Sequence, residues 1–184
     1  MGLDMYIYRC SKPDLKPNKV YDSAEISDIM LTEEELKEQM YRDLTPYCEK
    51  IRVINHYYDM EKIRADYGLS QDAWIWCWCG SGITVGDKTP TGRRDVEISH
   101  EDIETKYTVS KEEIRFVCKC EEEKYWRKAY EIQDFFYDHY PVENVGYYKL
   151  SKEVIEEFNK RYPRDAFEAE DETESSALFY HEWY

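Results

Sequence analysis

The chain has 184 residues, and its 40 acidic side chains against 25 Lys or Arg give a formal charge of −15. A chain of this length buries about 70% of its unfolded surface, so it folds without needing disulfides or a metal, and a composition of 42% hydrophobic and 16% aromatic residues excludes a disordered acidic chain. No apolar run reaches the ~20 residues of a membrane span, and Met1-Gly2-Leu3-Asp4 lacks the basic and apolar segments of a secretory signal, so the expectation is a cytosolic single domain, 1–184, whose six Cys are free thiols or metal ligands.

Leu3, Met5 and Ile7 alternate with Asp4, Tyr6 and Tyr8, which predicts a strand with one buried face. Ser11 to Asn18, with Pro13 and Pro17, reads as a loop. Thr32 and Glu35 have the spacing of a capping box and open a short helix. Thr45 as cap, Pro46 as first residue and a stripe of Tyr47, Ile51, Ile54 and Tyr58 predict a longer helix, with Gly68 as a stop. Ala73 to Cys79 alternates strictly, and Gly80-Ser81-Gly82 turns it back into a second strand at Ile83 to Val85. Asp87 to Asp95 reads as a polar loop, Thr108 to Glu113 as a brief helical segment and Ile114 to Cys120 as a strand.

Glu121 to about Tyr140 is the strongest predicted helix: three Glu suit its first turn, and Tyr125, Ala129, Ile132 and Phe136 form its buried stripe, widened by Trp126 and Phe135. Tyr147 to Leu150 predicts a short strand, and Ser151 caps a helix bearing Val154, Ile155 and Phe158 that Pro163 follows. There is no internal repeat. Helices and strands mix without regular alternation, so the expected class is α+β: a small, mainly antiparallel sheet packed by helices.

Three stretches resemble a family of small proteins encoded by bacteriophages and prophages: the opening Met1-Gly2-Leu3-Asp4-Met5-Tyr6-Ile7-Tyr8, the stretch Tyr125-Trp126-Arg127-Lys128-Ala129 with Ile132, Phe135 and Phe136, and the ending Phe179-Tyr180-His181-Glu182-Trp183-Tyr184. In that family the middle stretch is the central helix, with Asn after the Ala and His one residue after the Ile; here those positions hold Tyr130 and Gln133. Residues 20–110 have no counterpart and read as an enlarged middle. The resemblance implies a mobile-element origin and the cytoplasm of a bacterial host. It brings no catalytic residues.

Two C-x-C pairs, Cys77 with Cys79 and Cys118 with Cys120, would each present two thiolates on one face of a strand, and two such strands side by side could surround a zinc ion. The usual zinc spacing is C-x₂₋₄-C, and buried cysteines in a sheet core are the competing reading. If the Cys face of 74–79 is buried, Trp74, Trp76 and Trp78 form an exposed binding row; the opposite assignment buries the Trp, and the alternation alone does not choose. Gly82 to Thr89 has the residues of a phosphate-binding loop at the wrong spacing. None of the four His forms a metal motif, and the carboxylates are too many to pick a catalytic pair.

The remaining signal is acidic. Glu33–Glu35, Glu121–Glu123 and the run Glu168, Glu170, Asp171, Glu172 and Glu174 are dense, and Tyr is scattered throughout. Closely spaced carboxylates imitate the roughly one charge per 1.7 Å of a DNA duplex, and such a surface suits a basic groove rather than nucleic acid itself. The leading expectation is a non-enzymatic phage protein that inhibits a basic bacterial target, a DNA-directed defence nuclease such as a CRISPR nuclease. Its contacts would be the 168–174 run and the Trp74, Trp76, Trp78 row. The alternatives are a small zinc-binding structural or regulatory protein built on the two C-x-C pairs, and an enzyme whose site the sequence does not display.

Overall fold

A computed structural model of the chain describes residues 3–142, 146–168 and 176–183. In chain order the strands and helices are β1 (Asp4–Ser11), β2 (Val20–Asp22), β3 (Ile29–Leu31), β4 (Glu49–Tyr58), α1 (Met60–Tyr67), β5 (Trp74–Cys79), β6 (Gly82–Thr89), β7 (Gly92–Ser99), α2 (His100–Asp102), β8 (Thr108–Arg127), α3 (Tyr130–His139), β9 (Tyr147–Lys149), α4 (Lys152–Arg161) and β10 (Ser176–Trp183). The class is α+β, with antiparallel sheets packed by helices. Two compact units emerge: Met1–Val53 with Ile114–Tyr184, and Ile54–Glu113. No helix of the described residues is long and apolar enough to cross a membrane.

In the first unit the strand order is β2-β4-β8-β1-β10-β9, with β3 also pairing with β8. The alternation read at the N-terminus puts Leu3, Met5 and Ile7 in the core. They meet Trp126, Leu178 and Tyr180 from the flanking strands, Ile132, Phe135 and Phe136 from α3, and Ile155 and Phe158 from α4. Phe136 stacks on Tyr180 with ring centroids 4.0 Å apart. A second apolar cluster gathers Cys10, Cys118, Ala177 and Phe179 with Leu31, Leu36, Leu44, Tyr47 and Cys48. Two predicted caps are present. Glu35 N–H donates to Thr32 Oγ1 while Glu35 Oε2 accepts from Thr32 N–H, around the single 3-10 turn Glu35–Lys37, and Ser151 Oγ accepts from Val154 N–H at the start of α4.

Four predicted elements differ. Residues 49–58 are strand β4, not a helix: Ile51, Val53 and Asn55 are buried while Lys50, Arg52 and His56 face out. The stretch holds Ile51, Val53 and Ile54, whose branched Cβ atoms favour the pleated surface, so the period of two prevails over the Tyr47–Tyr58 stripe. Thr108 to Glu113 opens β8 instead of forming a helical segment, and β8 runs through 121–127, where the sequence pattern predicts the first turns of the strongest helix. Pairing with β1 decides this: Met5 faces Trp126 and Tyr6 faces Tyr125, with a bulge between Ile7 and Tyr8. The helix α3 starts only at Tyr130, after Lys128 adopts a φ of 57°. Asp87 to Asp95 is a hairpin, with β6 continuing to Thr89 and β7 starting at Gly92.

The second unit has a three-stranded sheet, β5-β6-β7. Ile83, Val85 and Ile98 pack with Ile63, Leu69, Ala73, Ile103 and Tyr107. The helix α1 is capped by Asp59, whose carboxylate accepts from Lys62 N–H at 2.9 Å, and it stops at Gly68, which takes the left-handed conformation at φ 59°.

Candidate functional site

The two C-x-C pairs do not lie on neighbouring strands of one sheet. Cys77 and Cys79 lie on β5, whose hydrogen-bonded neighbour is β6, in the second unit. Cys118 and Cys120 lie on β8 in the first unit, with their sulfurs 3.8 Å apart on one face, as their spacing predicts. Their neighbours are two cysteines that spacing gave no reason to choose. Cys10 sits directly across the ladder from Cys120, and the two sulfurs are 2.8 Å apart. Cys48, the residue before β4, packs in the same buried cluster as Cys118. The strand order explains the meeting: β8 lies between β4 and β1, so one cysteine arrives from each flank of the strand that carries the C-x-C pair.

All four thiols are free, and Cys10, Cys48 and Cys118 are buried. Leu31, Leu36, Leu44, Tyr47 and Phe179 wall them in. The Cys118 thiol also reaches the carbonyl of Ser11 at 3.8 Å. Hydrogen bonds from Cys10 and then Cys118 hold the Cys120 thiol well below the usual value, while hydrogen bonding to Cys118 and Cys120, with burial, pushes Cys10 up. Cys48 is likewise raised, first by the neighbouring Cys118 thiol and then by burial. Chemically this is a soft, anion-forming donor set in an apolar wall.

An aromatic lattice adjoins it. Tyr147 stacks on His181 at 4.4 Å, and Tyr8 lies 5.9 Å from the same ring and 5.2 Å from Tyr6. His181 Nδ1 is paired with the Gly146 carbonyl at 2.9 Å, and burial lowers its pKa. Burial pushes the Tyr8 hydroxyl up to about 12. On the other side of β10, Glu182 is fully buried and accepts hydrogen bonds from Gln133, Tyr137 and Tyr180 at 3.1, 2.8 and 2.8 Å. Gln133 therefore has a definite partner in this chain.

The three Trp of β5 are exposed, at 36%, 48% and 65% for Trp74, Trp76 and Trp78. They do not make one free row. A bulge between Ile75 and Cys77 breaks the alternation, so that Trp74 pairs with Gly86 but Trp78 pairs with Ile83 and touches the Tyr58 ring at 5.2 Å. The Arg93 guanidinium lies 4.2 Å over Trp76 and 5.6 Å from Trp74, and its Nε meets Asp95 at 2.6 Å. Gly86 lies beneath this stack; a Cβ there would come within 3.1 Å of the Trp76 ring and 3.3 Å of Arg93. Gly82–Thr89 is a strand rather than a phosphate cradle.

Among the predicted acidic contacts, Glu168 is exposed, and Glu170, Asp171, Glu172 and Glu174 lie outside the described residues. Sequence pattern missed a different surface. At one end of β10-β1-β8, Trp183 is 63% exposed and faces Asp4 across the ladder, and Tyr125, 44% exposed, donates its hydroxyl to Asp4 at 2.6 Å. Reading Tyr125 as a buried helix residue hid it; the in–out alternation of a strand would have exposed it. No family model matches the chain, and neither a curated protein nor a solved structure matches it.

Proposed function

We propose that this protein is a binding protein that engages a basic partner in the cytoplasm of a bacterial host, a DNA-directed nuclease of the defence type, and blocks it by competing with nucleic acid. The observation that supports this most is the exposed pairing of Trp183 and Tyr125 around Asp4. Trp and Tyr are enriched at the anchoring centres of protein interfaces, where large rings are desolvated at small entropic cost. The excess of 40 acidic over 25 basic side chains supplies the long-range field that draws in a cationic groove.

The two contributions separate kinetically. Screening shrinks the Debye length from about 10 Å at 0.1 M salt toward 3 Å at 1 M, so association with the nuclease slows as salt rises. Neutralising Glu168, Glu170, Asp171, Glu172 and Glu174 together slows association, because rim charges act on the on-rate, whereas Trp183→Ala speeds dissociation. Duplex DNA competes with the protein. A titration against a candidate nuclease at two salt concentrations, with and without DNA, tests this. Salt-independent binding that tolerates saturating DNA overturns it.

A further inference from the structure

We propose that Cys10, Cys48, Cys118 and Cys120 form a closed tetrathiolate site for one zinc ion, which fastens β1, β8 and the entry of β4 to one another. The argument starts from donor chemistry. Thiolates select thiophilic ions such as zinc over magnesium or calcium, and four of them fill a tetrahedron with no open position. Such a site is structural rather than catalytic.

Geometry agrees. Zinc–sulfur bonds of about 2.3 Å place tetrahedral sulfurs roughly 3.8 Å apart, and Cys118 and Cys120 are already 3.8 Å apart. The sulfurs of Cys10, Cys118 and Cys120 all lie within 4.8 Å of one another, and Cys48, at the entry of β4, the strand that flanks β8 opposite β1, belongs to the same buried cluster. The Cys10–Cys120 edge, at 2.8 Å, opens by about 1 Å to match the tetrahedral spacing, and Cys48, which lies in the same apolar cluster but outside that set of three, moves in to supply the fourth sulfur. These four sulfurs come from sequence positions up to 110 residues apart and meet inside one apolar wall, which is difficult to explain as a chance clustering of small hydrophobes. Zinc enters as a divalent cation and the thiol protons leave to solvent, so affinity rises with pH. The site does not depend on the identity of any binding partner.

The test uses the full chain, purified and handled with a reductant in the absence of oxygen. Metal analysis is expected to find one zinc per chain. Replacing zinc by cobalt(II) should give the intense sulfur-to-metal charge-transfer bands and the visible bands of a tetrahedral tetrathiolate. Cys48→Ser and Cys10→Ser should abolish stoichiometric binding, whereas Cys77→Ser with Cys79→Ser should leave it intact. Should the first two variants not fold, the cobalt spectrum of the wild-type chain and a fall in its melting temperature on chelation decide the matter. A folded, reduced wild-type chain that takes up neither zinc nor cobalt overturns the proposal, and so does metal lost with Cys77 and Cys79 but kept without Cys10 and Cys48.

Discussion

Truncating two consecutive residues, Tyr125 and Trp126, separates the strand seen here from a helix. Trp126 is 8% exposed, packs with the Phe158 ring at 5.6 Å and donates its indole N–H to Asp165 at 3.0 Å. Removing a buried indole leaves a cavity and costs about 3–5 kcal/mol. Trp126→Phe keeps most of the apolar volume and costs about 1–2 kcal/mol, because half-buried Asp165 recovers water in place of the lost donor. Tyr125 is 44% exposed. Its truncation removes the hydroxyl bond to Asp4 and a ring contact with Tyr6 at 5.1 Å, together about 1 kcal/mol. Urea unfolding followed by circular dichroism, which does not depend on the lost indole, reads all three variants. The expected order is Trp126→Ala, then Trp126→Phe, then Tyr125→Ala, with roughly 2–4 kcal/mol between the first and the last. On a helix whose buried stripe is Tyr125, Ala129, Ile132 and Phe136, widened by Trp126 and Phe135, both residues would be costly. Equal costs for the two alanine variants, or a greater cost at Tyr125, would refute the strand.

Two further outcomes follow from the buried polar groups. Glu182→Leu removes from Gln133 and Tyr180, both buried, a carboxylate acceptor, and should cost about 2–5 kcal/mol in thermal or urea unfolding, with Glu182→Gln costing less because the amide keeps an oxygen; a loss under about 0.5 kcal/mol in the leucine variant would contradict the network. His181 has a folded-state pKa below its unfolded value because burial disfavours the imidazolium. The unfolded chain therefore binds more protons as pH drops below about 6.5, and stability falls from there down through the depressed folded-state value. His181→Phe should flatten the stability profile between about pH 7 and 5 relative to the wild type, and an unchanged slope would show that His181 is not the group responsible.

Local chemistry settled a definite part of this protein. The period of two in 3–8 fixed β1 and its buried face, because successive side chains on a strand must point to opposite sides. Thr32 with Glu35, Gly68 and Ser151 marked ends of helical turns, because capping is a contact between residues three or four apart. Wherever a segment carried two periods, the tertiary structure chose. Residues 121–127 have the acidic first turn of a helix, yet the ladder with β1 satisfies their backbone and buries Trp126, and no feature within that segment announces the partner strand. The sulfur cluster lies at the same limit. Sequence spacing correctly put Cys118 and Cys120 on one face, but it paired them with Cys77 and Cys79, the other C-x-C. Cys10 and Cys48 join them only because β1 and β4 flank β8, and that order is set by burial summed over the whole sheet, which no short-range pattern encodes.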